Sequence, residues 1–433
     1  MRPLRFPVIV FFSLLFSFGC QVNDEKLELW KSTQKGPKKL AGVLIDNSMD
    51  LTLRAKASIA LIDIKQYALL EEAFTKIDAG DADKVILAAV PILTDIIDKG
   101  GDGDTLSPEQ IAAKDGLYIL YNYSVDESRK AVENALVDWC AKGNFKSRSM
   151  AGYNIKVIVA KVGTPALIAL AKRLTINEPY VKSIADLLRQ SKDEEALKLA
   201  SGIIAEQLKN NPGKFSETHL MAAAVIGGDS VGDMLVDFAT DPKISEELKR
   251  YALRAYSVAM DEKNITGTKQ QLEKLFKMAE DTSFDKYQRE ETYMTIAQIV
   301  QPESAAALKK LLNQKDFFWN MVGVRCLLRL DAEKYLADAL SVSAIAKSEE
   351  EINELIDLVS KFPDIKKSAE TVLVSGSAFA KGIVIYAIAK IGNKGDITVL
   401  EKVLSSKQKL PKGFKNKSVK DAAKEIINSL KKG

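Results

Sequence analysis

Apolar residues recur at helical spacing along almost the whole chain. Between Ala378 and Leu404, the residues Ile383, Val384, Ala387, Ile388 and Ile391 share one face. Gly392-Asn393-Lys394-Gly395 interrupts the pattern, and Ile397, Leu400, Val403 and Leu404 resume it. The spacing predicts two helices joined by a short turn, with Asp396 capping the second. A lone hairpin cannot bury both stripes, so it must stack on neighbours of the same design. Such neighbours are visible upstream. Aligning the last apolar residue of each second helix gives Ile226, Met260, Ile299, Leu330, Phe362 and Ile391, in steps of 34, 39, 31, 32 and 29 residues. The period is ragged but falls where helical-pair repeats lie.

Composition agrees with this pattern. The 433 residues are 46% hydrophobic and 28% charged, with only 12 Pro, and Ala, Leu, Ile, Lys and Glu dominate. That is a globular composition rich in helix formers and poor in strand formers. The expected fold class is all-α, an α-solenoid of stacked helix pairs.

The first residues differ from the rest. Arg2 and Arg5 precede an apolar run from Phe6 to Phe18, which ends at Gly19-Cys20. The run is too short to span a bilayer, which needs about 20 residues. It resembles a bacterial lipoprotein signal. The resemblance implies removal of residues 1–19 and acylation of Cys20. The protein would then be lipid-anchored, in the outer membrane on its periplasmic or surface face. Residues 20–29 are mostly polar and read as a short tether, leaving 30–433 for the solenoid.

Asp46 with Arg54, Asp241 with Lys249 and Asp281 with Arg289 repeat one eight-residue offset, each followed by an apolar helix. These stretches resemble HEAT repeats of the short, phycobilin-lyase-related kind. The resemblance implies a HEAT- and armadillo-like superhelix, with each Asp in the turn between paired helices. It covers most of Leu40 to Leu430 and is weakest between Leu69 and Val137. A structural role is expected for the Asp residues, either capping the next helix or meeting the basic side chain.

Candidate chemistry is sparse. Asp98, Asp102, Gly103, Asp104 and Glu109 resemble an EF-hand calcium loop at positions one, five, six, seven and twelve, but Gly100 and Thr105 depart from it. An ion-free reading is open too: Ser107-Pro108-Glu109-Gln110 forms a capping box. His219 is the only histidine, and the glycine-rich nucleotide-phosphate motifs are absent, so no catalytic residue, resident metal or cofactor is expected. Cys140 and Cys326 are expected as buried free thiols. Paired acids such as Glu194-Glu195 read as solvated faces.

Phe317-Phe318-Trp319 point in different directions around a helix, so one stripe cannot bury all three. They are the candidate partner contact, with gap filling between repeats as the alternative. From Lys407 to Gly433 there are nine Lys against Asp421 and Glu425; this basic end invites nucleic acid, acidic lipid or an anionic wall polymer as partner, or reads as the polar cap a solenoid needs. Export disfavours nucleic acid as its partner. The expected function is a lipid-anchored, non-enzymatic scaffold for protein partners. The alternative is an envelope hydrolase on an all-α superhelix, which would need a carboxylic acid with a raised pKa in a deep pocket.

Overall fold

A computed structural model describes residues 22–99, 105–211, 213–341, 346–362 and 364–432. Among them the chain is all-α: helices follow one another without a strand, and the only pairing outside them is an isolated bridge between Lys409 and Ser418. Cys20 and the signal-like residues 1–19 lie outside the described residues. The chain divides at residues 203 and 204 into two compact units.

The second unit, Ile204–Gly433, is built from helix pairs. Its first helices are Asp229–Thr240, Lys269–Glu280, Pro302–Leu311, 332–339, Ile365–Ser375 and Ile397–Glu401. Its second helices include Glu217–Ile226, Glu246–Asp261, Lys286–Ile296, 317–330, Glu349–Ser360 and Ala378–Ile391. Each helix packs on its partner, and second helices pack on one another in succession. Every residue used to align the repeats lies at or just beyond the end of a second helix. Two helices are continuous through Asp331, whose extended backbone (φ −168°, ψ 99°) marks the change of direction.

Ion pairs tie equivalent helices together at the repeat spacing. Along the second helices these are Glu217–Arg254 (3.4 Å), Asp285–Arg250 (2.8 Å), Glu290–Arg325 (2.6 Å) and Asp357–Lys390. Along the first they are Asp237–Lys274, Glu303–Lys269 (3.4 Å), Asp338–Lys309 (2.7 Å), Glu333–Lys367 (3.4 Å) and Glu370–Lys402. Solvent reaches most of these groups, so each pair sets register more than it adds stability.

The eight-residue offset has a four-residue substructure. Asp46, Asp241 and Asp281 each end a first helix, and each accepts the backbone N–H two residues on (Ser48, 3.0 Å; Lys243, 2.8 Å; Ser283, 2.8 Å). The next helix is capped four residues later, by Asp50, Ser245 and Asp285. The expected capping therefore belongs to those residues, because a carboxylate that closes the turn cannot also reach the following helix start. Arg54 and Arg289 do not pair with the turn aspartates. Their Nε groups donate to Leu44 (3.0 Å) and Ala279 (2.8 Å), carbonyls at the end of the preceding helix. Lys249, a point charge without the guanidinium fork, instead meets Glu246 at 2.7 Å.

Asp396 is corrected in the same way. Asn393 accepts from Gly395 N (2.8 Å), while Asp396 reaches back to Asn393 N (2.7 Å), so the two form a reciprocal box around a 3₁₀ turn.

The first unit, up to Ile203, is less regular. It opens with a helix, Asp24–Lys31, where a tether was expected. Asn23 caps it, Leu27 is buried, and Lys31 and Asp24 pair with Asp63 (2.9 Å) and Lys56. One buried side chain and two ion pairs are enough to dock a segment that looks polar in sequence. The helix Leu51–Asp63 packs against five others, including the 20-residue helix Ala79–Asp98, so its neighbours do not form simple pairs.

Candidate functional site

The aromatic run begins a second helix. Asp316 caps it through Phe318 N (2.9 Å), and Asn320 Nδ2 donates to the carbonyls of Leu311, Leu312 and Gln314, fixing the helix start to the preceding turn. The three rings then diverge. Phe317 lines a small apolar crevice with Leu312, Met321, Val324, Leu355 and Phe379. Phe318 lies under Lys286, whose Nζ is 3.5 Å from the ring centroid. Trp319 lies under the Arg289 guanidinium at 4.7 Å and meets Tyr293 edge-on at 5.9 Å. All three are half-buried, and each is engaged by its own chain. The run joins one repeat to the next, and its cation–π contacts hold the arginine that also closes the previous helix pair.

A more open feature lies beside it. Pro302, Ala305 and Ala306 of one first helix face Leu330 and Tyr335 across a groove rimmed by Val300, which is 80% exposed. Lys309 and Lys334 stand 5.5 and 5.1 Å from the Tyr335 ring. The sequence reading missed this groove. Its signal was the exposed Val300 before a Pro at a helix start.

The calcium-like stretch is only partly described. Asp98 is the last residue of the helix Ala79–Asp98, and Glu109 lies in the first turn of Pro108–Leu120. Asp102 and Asp104 lie outside the described residues. The Ser107–Gln110 capping box is present, with Gln110 N to Ser107 Oγ at 3.2 Å and Ser107 N to Gln110 Oε1 at 2.8 Å. The Ser107 side chain holds the Glu109 carboxyl below its usual range. Among the described residues, no group of three His, Cys, Asp or Glu is placed to hold a metal ion.

His219 closes a capping box of its own, with Nδ1 3.0 Å from Ser216 Oγ and 3.3 Å from Ser216 N at the start of Glu217–Ile226. A serine beside a histidine is here a helix cap. Cys140 and Cys326 are both buried and free, and burial pushes the Cys140 thiol up to about 12. The acidic runs at Glu194 and Glu349 open helices, where carboxylates suit the positive end of the helix dipole.

Two charged sites were not singled out in sequence. Lys114 is fully buried: it pairs with Asp115 and donates to the carbonyls of Ala151 (3.1 Å) and Tyr153 (2.6 Å), while Asp115 accepts from Tyr153 N (2.9 Å). Gly152 passes so close that a Cβ there would lie 2.3 Å from Asp115 Oδ2. The ammonium thus ties a loop to a helix. Glu291 is the second: burial raises its pKa, and Arg250 and Arg254 pull it back. It stands among those arginines on the helix Lys286–Ile296 and is not among the residues lining the groove or the crevice.

The described residues therefore define an all-α, solenoid-like chain of helices packed on their neighbours. Comparison with protein-family models found no match, and comparison with curated proteins found none either. None of the described helices is long and apolar enough to cross a membrane.

Proposed function

We propose that the chain is a lipid-anchored, non-enzymatic interaction scaffold of the bacterial cell envelope, built on HEAT-like repeats. One observation carries this reading. In the second unit the charged groups along the helix rows bind neighbouring helices, while the groove between Val300 and Tyr335 leaves apolar surface open. A stack of this kind offers extended surface for a protein partner. Of the two candidate contact regions, the groove has the open floor, whereas Phe317, Phe318 and Trp319 are engaged internally. The anchor rests on the sequence around Cys20, where several acyl chains together would hold the chain stably at a membrane.

Two measurements test the proposal. Intact mass of protein from native membranes should show loss of residues 1–19 and addition of lipid at Cys20; a soluble product with a free Cys20 thiol overturns the anchor. A photo-crosslinker at Ala306 should give a discrete protein adduct in cells, and one at Lys243 should not. Equal adducts from both positions, or none from either, overturn the scaffold surface.

A further inference from the structure

Charge is divided sharply within the second unit. Residues 204–406 carry 26 Lys and Arg against 30 Asp and Glu, whereas 407–433 carry nine Lys and two acids. Seven lysines between residues 204 and 406 (Lys269, Lys274, Lys309, Lys366, Lys367, Lys390 and Lys402) pair with a carboxylate of another helix, and the rest stand in a region where acids outnumber bases; after residue 406 the lysines outnumber the acids. Lys415 pairs with Glu425; Lys407, Lys409, Lys412, Lys417, Lys420, Lys424, Lys431 and Lys432 meet no carboxylate among the described residues. All nine are exposed. The two acids are occupied, Asp421 by Ser418 Oγ (2.6 Å) and Glu425 by Lys415 and Asn416 (2.8 Å).

The lysines sit on a fixed platform. The loop before the last helix is held by Leu410 N to Lys417 O (3.0 Å) and Val419 N to Gln408 O (3.1 Å). Phe414 stacks on Tyr386 and meets Phe379 edge-on. It fits only because Gly382 has no side chain: a Cβ there would lie 2.7 Å from the Phe414 ring. Asn416 donates to Tyr386 Oη at 2.9 Å. The helix Val419–Lys432 turns Val419, Ala422, Ala423, Ile426 and Ile427 inward, which leaves its lysines outward. A terminal cap needs polarity, but it does not need charge of one sign.

We infer that this surface binds an anionic membrane, with the phosphate-bearing headgroups of anionic lipids as its ligand. Three features favour a membrane over a compact anion or a folded polyanion. The segment has lysines and no arginine, so it offers hydrated point charges in place of bidentate forks. The lysines spread over a loop and a helix without converging on a pocket, which suits many mobile headgroups. The rest of the unit has more acids than bases, so this end is the one that a negative surface favours. The inference concerns charge alone and is independent of any lipid on Cys20.

The test uses residues 20–433 with Cys20→Ser, which contain every described residue. Co-sedimentation is measured with vesicles of phosphatidylcholine alone and with about a third phosphatidylglycerol. Binding should require the anionic lipid and fall at least tenfold between about 0.05 and 0.5 M salt. Changing Lys412, Lys417, Lys420 and Lys424 together to Gln should lower it at least tenfold. Changing Lys243, Lys277, Lys310 and Lys315 to Gln, an equal charge loss on exposed lysines elsewhere, should lower it less than threefold. Circular dichroism checks folding, and the four Lys→Arg changes at the tail should retain binding. Equal loss in both Gln variants, no vesicle binding, or binding to a soluble polyanion such as heparin in preference to vesicles overturns the inference.

Discussion

In the unit up to Ile203, the pairs Lys114–Asp115, Arg54–Asp81 and Arg173–Glu178 are largely buried, and their cations also donate to backbone carbonyls. From Ile204 onward most pairs run from helix to helix where solvent reaches them. The difference follows from packing. Regular pairs bring equivalent faces together at a fixed spacing, so apolar stripes fill the interior and charges meet at the edge. Where helices do not pair regularly, turns such as 150–153 lay carbonyls, here those of Ala151 and Tyr153, against a buried helix face, and those carbonyls need donors. A lysine then serves the structure from inside.

The sharpest test of this contrast is Lys114→Met. It leaves Asp115 buried without its cation and two carbonyls without a donor, and should cost about 3–5 kcal/mol. The matched change Lys274→Met, at the exposed pair with Asp237, should cost only about 0–1 kcal/mol. Urea unfolding of both variants decides the matter, and comparable losses would show that burial is not what separates the two kinds of pair.

A smaller effect concerns the turns. Asp285→Ala removes a helix cap and should cost about 1 kcal/mol, while Asp285→Asn, which still caps, should cost less. Asp281→Ala removes only the contact to Ser283 and should be milder than Asp285→Ala. The reverse order in thermal unfolding would return the cap to Asp281.

The smallest effect is on pH dependence. Hydrogen bonds from the backbone N–H of Ser283 and of Gln288 hold Asp281 and Asp285 below the usual carboxylate range, and Lys249 does the same for Glu246. A depressed folded pKa means that the stabilisation is present above the unfolded value and lost as pH falls through the folded one. These turns should therefore weaken below about pH 4 and be unchanged from about 6 to 8. A loss of stability on raising the pH across that upper range would contradict the assignment.

The second unit was legible because its apolar period repeats. Ile226, Leu330 and Ile391 mark true helix ends, and the turn aspartates sit between paired helices. Their partners were not legible, since Arg289 could reach Asp281 or a carbonyl with equal ease and only the turn geometry selects Ala279. The stretch from Leu69 to Val137 lacked a clear period, and it lies where helices meet in no simple order. Lys114 was invisible for a related reason: its donors' targets lie 37 and 39 residues away, in a loop whose path depends on the packing itself. The aromatic run was noticed as chemistry, but Lys286 and Arg289, one repeat earlier, already cover it.

Asp331 gives the stack a mechanical character at one point. Elsewhere in the second unit two or more residues outside the helices separate successive helix pairs, as Gly227-Gly228 does between Ile226 and Asp229, and each such loop has more backbone angles to turn. Here a single residue carries the reversal, its Oδ1 accepting from Lys334 N at 2.9 Å to start the next helix. Torque applied to 317–330 passes to 332–339 with one pair of backbone angles to absorb it. This junction is a stiff coupling in a chain of softer ones, and a tug on the stack would be felt first at its neighbours.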